Sequence, residues 1–140
     1  MKTIVIGVTS SIACYKVIDL VKKLKEFNIE IILSKNTEKL IDKKEFQKVI
    51  GKKVHTEMFY SGWNYKDYLK REKTEHISLA DKADVFVVCP ATANTIGKIA
   101  NGIGDDLLTT SVMATNAPVL ICPAMNCKMW ENRIVKENFR

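Results

Sequence analysis

TIVIGV at residues 3–8, followed at once by TSSIA at residues 9–13, is the stretch that decides the fold. Its first half is a short run of mainly β-branched apolar residues without polar alternation, which is typical of a strand covered on both faces. Its second half places small hydroxyl residues ahead of Ile12–Phe27, where apolar positions recur near the helical period. A buried strand that runs directly into a helix predicts the first βα unit of a parallel sheet.

The rest of the chain repeats this alternation of strand and helix. Further buried strands are predicted at Glu30–Leu33, Val85–Cys89 and Val119–Ile121. Further helices are predicted at Glu38–Ile50, Thr95–Ala100, Leu107–Thr115 and Cys127–Arg140. Val54–Lys73 is less regular and indicates a peripheral loop or a subunit contact. The pattern predicts an α/β fold with a doubly wound parallel sheet of the Rossmann or flavodoxin type, in a single domain over residues 1–140.

Composition excludes several classes of protein. With 140 residues, 46% apolar and 27% charged, the chain is expected to bury one globular core rather than to be disordered. No apolar run approaches the roughly 20 residues of a membrane span, and the apolar N-terminal stretch is too short for a signal peptide. We therefore expect a cytoplasmic protein without a membrane partner.

The charged residues and the cysteines point to no further ligand. The net charge of +6 comes mainly from residues 35–53, which we interpret as a solvated helix face because no nucleic-acid recognition motif accompanies it. The four cysteines form no C-x-x-C pair, so buried free thiols are expected. The two histidines have no zinc-ligand spacing, and no metal site is predicted.

Polar residues follow the first two predicted strands, where a doubly wound sheet binds its ligands. Ser10 and Ser11 lead into a helix, so they either bind a phosphate or act as a plain N-cap, and this segment alone leaves both readings open. Ser34 and Thr37 follow the second strand and could meet a phosphate or a ribityl chain, although a cap is favoured there.

The residues after the third strand provide polar groups of another kind. Pro90 is expected to end that strand, and Thr92, Asn94 and Thr95 then supply hydrogen-bond donors and acceptors at the start of the next helix. A flavin ring needs such groups around its edge. Three polar turns at three strand ends are less easily explained as coincidental capping than any one of them.

Four other polar residues have competing interpretations. Asp105 and Asp106 are expected to cap a helix rather than to catalyse. Asn126 could cap the last helix or bind a carboxylate through its amide. His76 could be structural, or it could transfer a proton or position an anion near neutral pH.

Three segments together carry a family resemblance. They are PATANT at residues 90–95, PAMNCKMW at residues 123–130 and HISLA at residues 76–80. Read together with Asn101–Thr110, they closely resemble the homo-oligomeric flavin-containing cysteine decarboxylases, and among these the phosphopantothenoylcysteine decarboxylases. The resemblance runs from the first strand to Arg140, and the second segment matches the family pattern without exception.

The resemblance implies a cofactor, a reaction and a site. It implies FMN-dependent decarboxylation of phosphopantothenoylcysteine to phosphopantetheine in coenzyme A biosynthesis, in a homotrimer or dodecamer with active sites at subunit contacts. His76 would be the catalytic histidine and Asn126 would bind the substrate carboxylate, each from a different subunit. The residues that it implies around FMN are Ser10, Ser11, Ile12, Ser34, Thr37, Thr92, Ala93, Asn94, Thr95 and, near the ring, Met125.

One departure from the family pattern leaves alternatives open. The family carries a proton-donating cysteine in a C-terminal flap, and none of the four cysteines here lies in such a flap. We therefore expect residues 1–140 to bind FMN but to turn over poorly, with a fused ligase domain as a possibility. The alternatives are a decarboxylase of peptides that end in cysteine, a flavin prenyltransferase, which residues 123–130 disfavour, and a non-catalytic FMN-binding protein.

Overall fold

A four-stranded parallel sheet forms the centre of the protein. The computed structural model describes residues 1–59, 61–70 and 73–140, without the side chain of residue 67. Within this part of the chain the sheet has the order β2-β1-β3-β4, and its strands are β1 (Thr3–Val8), β2 (Asn28–Leu33), β3 (Val85–Ala91) and β4 (Val119–Pro123). The predicted doubly wound parallel sheet is confirmed.

The helices lie on both faces of this sheet. Their bounds are α1 (Lys16–Lys23), α2 (Lys43–Ile50), α3 (Tyr65–Leu69), α4 (Glu75–Lys82), α5 (Ala93–Ala100), α6 (Leu107–Ala114), α7 (Cys127–Trp130) and α8 (Arg133–Phe139). Short 3-10 turns precede α1 and α2, at Ile12–Tyr15 and Thr37–Lys39.

Three predicted helices are shorter or more divided than the sequence pattern suggested. The first opens as a 3-10 turn and ends at Lys23 rather than Phe27. The second begins at Lys43, because the Asp42 side chain accepts a hydrogen bond from the Lys44 N–H and starts the helix there. The predicted helix Cys127–Arg140 is two helices, because Asn132 accepts hydrogen bonds from Ile134 and Val135 and caps α8.

The strands also differ in detail from the prediction. β2 begins at Asn28, and β4 ends at Pro123. Pro90 does not end β3, which continues to Ala91 through a cis Cys89–Pro90 peptide bond, with an irregular register opposite β4. The prediction that β4 is covered on both faces is wrong: β4 is the edge strand of the sheet, and its Leu120 is 56% exposed.

Two hydrophobic clusters hold the layers together, one on each face of the sheet. The face covered by α1 and α2 buries Ile6, Val8, Val17, Val21 and Phe46. The face covered by α4, α5 and α6 buries Val5, Leu79, Phe86, Ile96 and Leu108. Gly7 makes the second packing possible, because a Cβ there would lie 2.7 Å from Leu108 Cδ1. The two clusters fix the strand ends from which the polar loops emerge.

The cysteines are only partly as predicted. All four are free; Cys14 is buried, Cys89 and Cys122 are half-buried, and Cys127 is exposed at the start of α7. The expectation of a buried thiol is therefore wrong for Cys127, which begins a helix beside the edge strand. Burial, together with the neighbouring Cys122, raises the pKa of Cys89 to about 11.

The remaining segments carry no membrane or metal signal in the part of the chain that is described. There, no helix is long and apolar enough to cross a membrane, and no cluster of side chains could hold a metal ion. The irregular segment Val54–Lys73 carries α3 and a contact between the rings of Phe59 and Trp63, whose centroids are 4.6 Å apart. Within that segment Tyr60 and, just after α3, Arg71 and Glu72 lie outside the described residues.

Candidate functional site

A cavity of about 570 Å³ lies at the carboxyl edge of the sheet. Its walls come from the loops after β1, β3 and β4: Ser10, Ser11, Ile12, Ala13, Thr92, Ala93, Ala124, Met125 and Asn126, with Tyr15, Lys16 and Met129 beside them. The volume lies within the roughly 300–1,000 Å³ of small-molecule and cofactor sites. Seven of the predicted site residues therefore share one cavity.

The buried hydroxyl of Thr9 joins two of these loops. Thr9 Oγ1 donates to the Pro90 carbonyl at 2.6 Å and accepts from the Thr92 N–H at 3.0 Å. Because the side chain is buried, these bonds replace water for both loops. Sequence reasoning missed Thr9 as a site residue, although the hydroxyl at a strand end that drew attention to Ser10 and Ser11 is present here too.

The loop after β1 contains both a helix cap and an open surface. Ser11 Oγ accepts a hydrogen bond from the Ala13 N–H at 3.3 Å, so the capping interpretation of Ser11 is correct. Ser10 is exposed at the cavity, and Ile12 is 85% exposed there. A large apolar side chain with this exposure at a cavity wall gains from a flat apolar ligand that covers it.

Thr92 and Thr95 shape the loop after β3. Thr92 Oγ1 caps α5 by accepting a hydrogen bond from the Thr95 N–H at 3.2 Å. It also lies 3.1 Å from Thr95 Oγ1. Thr95 is buried, whereas the neighbouring Asn94 is exposed; neither lines the cavity.

The Asn126 side chain can cap a helix and bind a ligand at the same time. Its Oδ1 accepts from the Lys128 N–H at 2.8 Å, which starts α7. The cap uses the acceptor oxygen, whereas a carboxylate ligand would use the amide N–H groups. The two interpretations of Asn126 are therefore compatible, and its exposed side chain lines the cavity.

Ser34 and Thr37 lie in the neighbouring loop after β2. Thr37 is fully buried; its hydroxyl donates to the Val8 carbonyl at 3.0 Å and lies 2.8 Å from Ser34 Oγ. Ser34 lines a separate depression of about 300 Å³ with Met58, Phe59 and Asp106 among others. The structure does not place either residue at the larger cavity.

Asp105 and Asp106 serve different purposes. Asp106 Oδ1 accepts from the Thr109 N–H at 2.7 Å and forms a capping box at the start of α6, as predicted. Asp105 does not cap: it pairs with Lys98 at 2.9 Å, because its side chain points to solvent outside the helix. The Lys98 hydrogen bond lowers the pKa of Asp105.

His76 is half-buried in the first turn of α4 and does not line the cavity of its own chain. Its Nε2 lies 3.2 Å from Thr74 Oγ1, and its buried Nδ1 has no hydrogen-bond partner among the described residues. Burial lowers the pKa of His76, so the ring is neutral at pH 7. A neutral ring with an unpaired buried nitrogen can accept a proton or bond a ligand.

Comparison with known proteins gives this geometry a family. The flavoprotein family model matches residues 1–140. The chain belongs to the flavoprotein family. This membership confirms the resemblance found in the sequence, and it makes a flavin the class of cofactor that the cavity must be tested against.

Two curated relatives of this flavoprotein have assigned names. The chain is 37% identical over 98% of its length to the coenzyme A biosynthesis bifunctional protein CoaBC of Bacillus subtilis, of which it spans 32%. It is 35% identical over 94% of its length to a putative phosphopantothenoylcysteine decarboxylase of Dictyostelium discoideum, of which it spans 68%. The chain thus spans about a third of the length of the bifunctional relatives.

Solved structures share the fold of this flavoprotein. The FMN-dependent cysteine decarboxylase SpaF is 28% identical with a TM-score of 0.87, covering 99% of this chain and 77% of SpaF. A mutant PPC decarboxylase complexed with pantothenoylaminoethenethiol is 28% identical with a TM-score of 0.79, covering 98% of this chain and 74% of its own.

The cavity fits a flavin by the chemistry of its walls. Ile12 and Met125 offer apolar surface to a flat ring, and the small residues Ala13, Ala93 and Ala124 keep the cavity wide. The Ser10 and Ser11 hydroxyls provide hydrogen-bond groups at another wall, where a phosphate or sugar hydroxyl can bind. Apolar walls with a few fixed polar groups are what cofactor sites require.

Proposed function

We propose that this flavoprotein holds FMN in the 570 Å³ cavity and, with it, decarboxylates phosphopantothenoylcysteine in coenzyme A biosynthesis. The observation that carries the proposal is the meeting of three strand-end loops at this one cavity. The relative in Bacillus subtilis supports a place in coenzyme A biosynthesis, and the relative in Dictyostelium discoideum supports phosphopantothenoylcysteine as the substrate. The FMN dependence of the cysteine decarboxylase SpaF supports FMN as the form of the flavin.

Each wall of the cavity has a proposed task. Ser10 and Ser11 bind the phosphate of FMN, Ile12 and Met125 contact the ring, and Thr92 and Ala93 border it. Ser34 and Asn94 do not line this cavity, and the contacts with FMN that the resemblance implies for them stay predictions. Thr37 and Thr95 are buried and hold the loops that make these contacts.

The reacting groups of the chain are Asn126 and His76. FMN, when bound, supplies a reversible two-electron acceptor, the chemistry that decarboxylation of a cysteinyl group lacks on its own. Asn126 donates its amide hydrogens to the substrate carboxylate and fixes its direction. His76, whose pKa burial lowers, holds or moves a proton at Nδ1, which has no hydrogen-bond partner among the described residues.

His76 requires a second subunit if it is to act at this cavity, because it does not line the cavity of its own chain. We therefore propose a homotrimer, alone or grouped into a dodecamer, that brings His76 of one subunit to Asn126 of another. Exposed apolar side chains on β4, α7 and α8, namely Leu120, Met129 and Ile134, supply apolar contact surface. A monomer mass in sedimentation at micromolar concentration would contradict this assembly.

The test of the substrate site separates the two uses of Asn126. Asn126→Asp keeps the oxygen that caps α7 but places an anion where the substrate carboxylate binds. Loss of a hydrogen bond to a charged group costs about 1.5–3 kcal/mol, so we expect kcat/KM for CO2 release to fall about 10- to 100-fold with FMN still bound.

Asn132→Asp is the matched control, because Asn132 caps α8 in the same way and does not line the cavity. It should leave kcat/KM within about twofold of wild type, since the cap is preserved. Equal kinetics for the two variants, or a purified protein that is colourless and does not take up added FMN, would overturn the proposal.

A peptide ending in cysteine is the second candidate substrate. The structure of EpiD complexed with the substrate peptide DSYTC, which is 28% identical with a TM-score of 0.79, favours testing it. Both candidate substrates present a cysteinyl carboxylate to Asn126, so the Asn126 variants do not separate them. Release of CO2 from phosphopantothenoylcysteine, compared with a pentapeptide ending in cysteine at equal concentration, does.

A further inference from the structure

His55 lies between two carboxylates on the outer side of β2. Its backbone extends the sheet by one residue: the His55 N–H donates to the Ile31 carbonyl at 2.9 Å, and the His55 carbonyl accepts from the Leu33 N–H at 2.8 Å. Its ring then contacts Glu30 of β2 through Nε2 at 3.1 Å and Glu75 of α4 through Nδ1. One imidazole thus connects the sheet to the first residue of α4.

The charges in this cluster are paired and largely shielded from water. The side chains of Glu30, His55 and Glu75 are 10%, 14% and 20% exposed. Lys52 Nζ bonds Glu30 at 3.0 Å, and Lys53 Nζ reaches Glu75 at 3.5 Å from a far more exposed position.

The carboxylates are ionised in the folded protein. Burial tends to raise the pKa of Glu30, but the hydrogen bonds and charges of Lys52 and His55 outweigh it and the net shift is downward. The hydrogen bond from His55 is the main reason that the pKa of Glu75 is lowered. Paired charges at this depth resist separation, because an unpaired buried charge is costly.

The start of α4 has this contact with His55 but no side-chain cap. Thr74 is the N-cap residue of α4 but makes no side-chain capping bond; its hydroxyl lies instead beside His76 Nε2. Glu75, one residue before His76, ties the first turn to β2 through His55. A carboxylate in the first turn of a helix is also favoured by the helix dipole.

We propose that His55 is a positioning residue: by holding Glu75 it sets the first turn of α4 and thereby the direction of the His76 ring. This inference rests on the proposed role of His76 in decarboxylation. Neither His55 nor Glu75 lines the cavity, and in the described part of the chain neither forms a hydrogen bond with the His76 ring. They therefore affect the reaction only through the orientation of the His76 ring.

The test compares Glu75→Gln and His55→Gln with Lys53→Gln. A misplacement of about 1 Å can cost about 100-fold in rate, so we expect kcat to fall at least tenfold in the first two variants, with KM and FMN affinity within about twofold of wild type. Lys53→Gln removes only the exposed contact to the same Glu75 and should leave kcat unchanged. The double variant Glu75→Gln, His55→Gln should be no slower than His55→Gln alone, because that variant has already lost the contact between His55 and Glu75.

Three outcomes separate this inference from the proposed function. If His76→Asn retains its rate of CO2 release, the role of His76 is wrong, and this inference falls with it. If His76→Asn is inactive while Glu75→Gln and His55→Gln keep wild-type kcat, only the positioning role is wrong. If FMN affinity falls in parallel with kcat, His55 acts on the fold in general, and the inference is overturned.

Glu75→Asp covers the case in which Glu75→Gln does not fold. It keeps the charge at the helix start but shortens the reach to His55, so the same selective loss of kcat is expected. The ring NMR signals of His76 give a second readout without turnover. They should move in Glu75→Asp and His55→Gln and stay in place in Lys53→Gln; unmoved signals in the first two contradict the proposal.

Discussion

The Thr9 hydroxyl connects the loops after β1 and β3 at the candidate flavin cavity. It is buried, it donates to Pro90 and it accepts from Thr92, so both loops lose a partner when it is removed. Neither partner is near Thr9 in sequence. The sequence showed a hydroxyl residue at a strand end, but not which of Thr9, Ser10 and Ser11 would point inward.

Thr9→Val tests this role at the scale of one residue. The change keeps the shape of the side chain and removes the hydroxyl, so that the half-buried Thr92 N–H and the Pro90 carbonyl each lose one partner. We expect a loss of about 1–3 kcal/mol in the free energy of unfolding, measured by urea denaturation, and weaker FMN binding by fluorescence titration. Thr9→Ser keeps the hydroxyl and should retain most of the FMN affinity; equal losses in both variants would refute the role of the hydroxyl.

At the scale of the element, helix starts decide how the polar loops are arranged. Ser11, Thr92, Asp106 and Asn126 each accept a backbone N–H at the start of a helix or turn. Sequence periodicity predicted where helices lie, but it joined α7 and α8 because both share one apolar pattern. The break follows from the Asn132 cap, a local hydrogen bond that competes with continuation of the helix.

Two adjacent aspartates give a matched test of such a cap. Asp106→Ala removes the capping box of α6 and should cost about 0.5–2 kcal/mol of the free energy of unfolding. Asp105→Ala removes only a solvent-exposed pair with Lys98, and we expect it to change the melting temperature little. If thermal denaturation shows equal losses, the cap is not what stabilises this helix start.

At the scale of the whole molecule, stability depends on pH through the cluster around His55. The pKa values of Glu30 and Glu75 lie below the ordinary 4.5 in the folded protein. The unfolded chain therefore takes up protons first as the pH falls. The stability from these carboxylates is fully present above about pH 4.5 and is lost as the pH falls through their lower folded-state values.

His76 also makes the protein less stable as the pH falls, but at a higher pH than the two carboxylates do, because its folded-state pKa lies below the ordinary 6.5. Protons then favour the unfolded chain from about pH 6.5 downward, until the folded-state value is passed.

Glu30→Gln provides the measurement at this scale. We expect the variant to unfold at lower urea than wild type at pH 7, where wild-type Glu30 is ionised and paired with Lys52 and His55. The difference should shrink as the pH falls to 3, because wild type then loses the same charge. A difference that stays constant from pH 7 to pH 3 would show that the charge of Glu30 does not contribute.

The sequence by itself determined the fold class and its first strand, because a parallel sheet requires short β-branched runs separated by helical periods. It also determined the family, through the motifs at residues 76–80, 90–95 and 123–130. It also indicated which loops carry polar groups, since those loops follow each strand directly. Only the tertiary structure decided which groups meet: Ser11, Thr92 and Asn126 reach one cavity, while Thr37 is buried and Ser34 lines another depression. The tie from His55 to Glu75 was equally invisible, because a contact between residues 20 apart depends on how two elements pack and not on the local pattern of either.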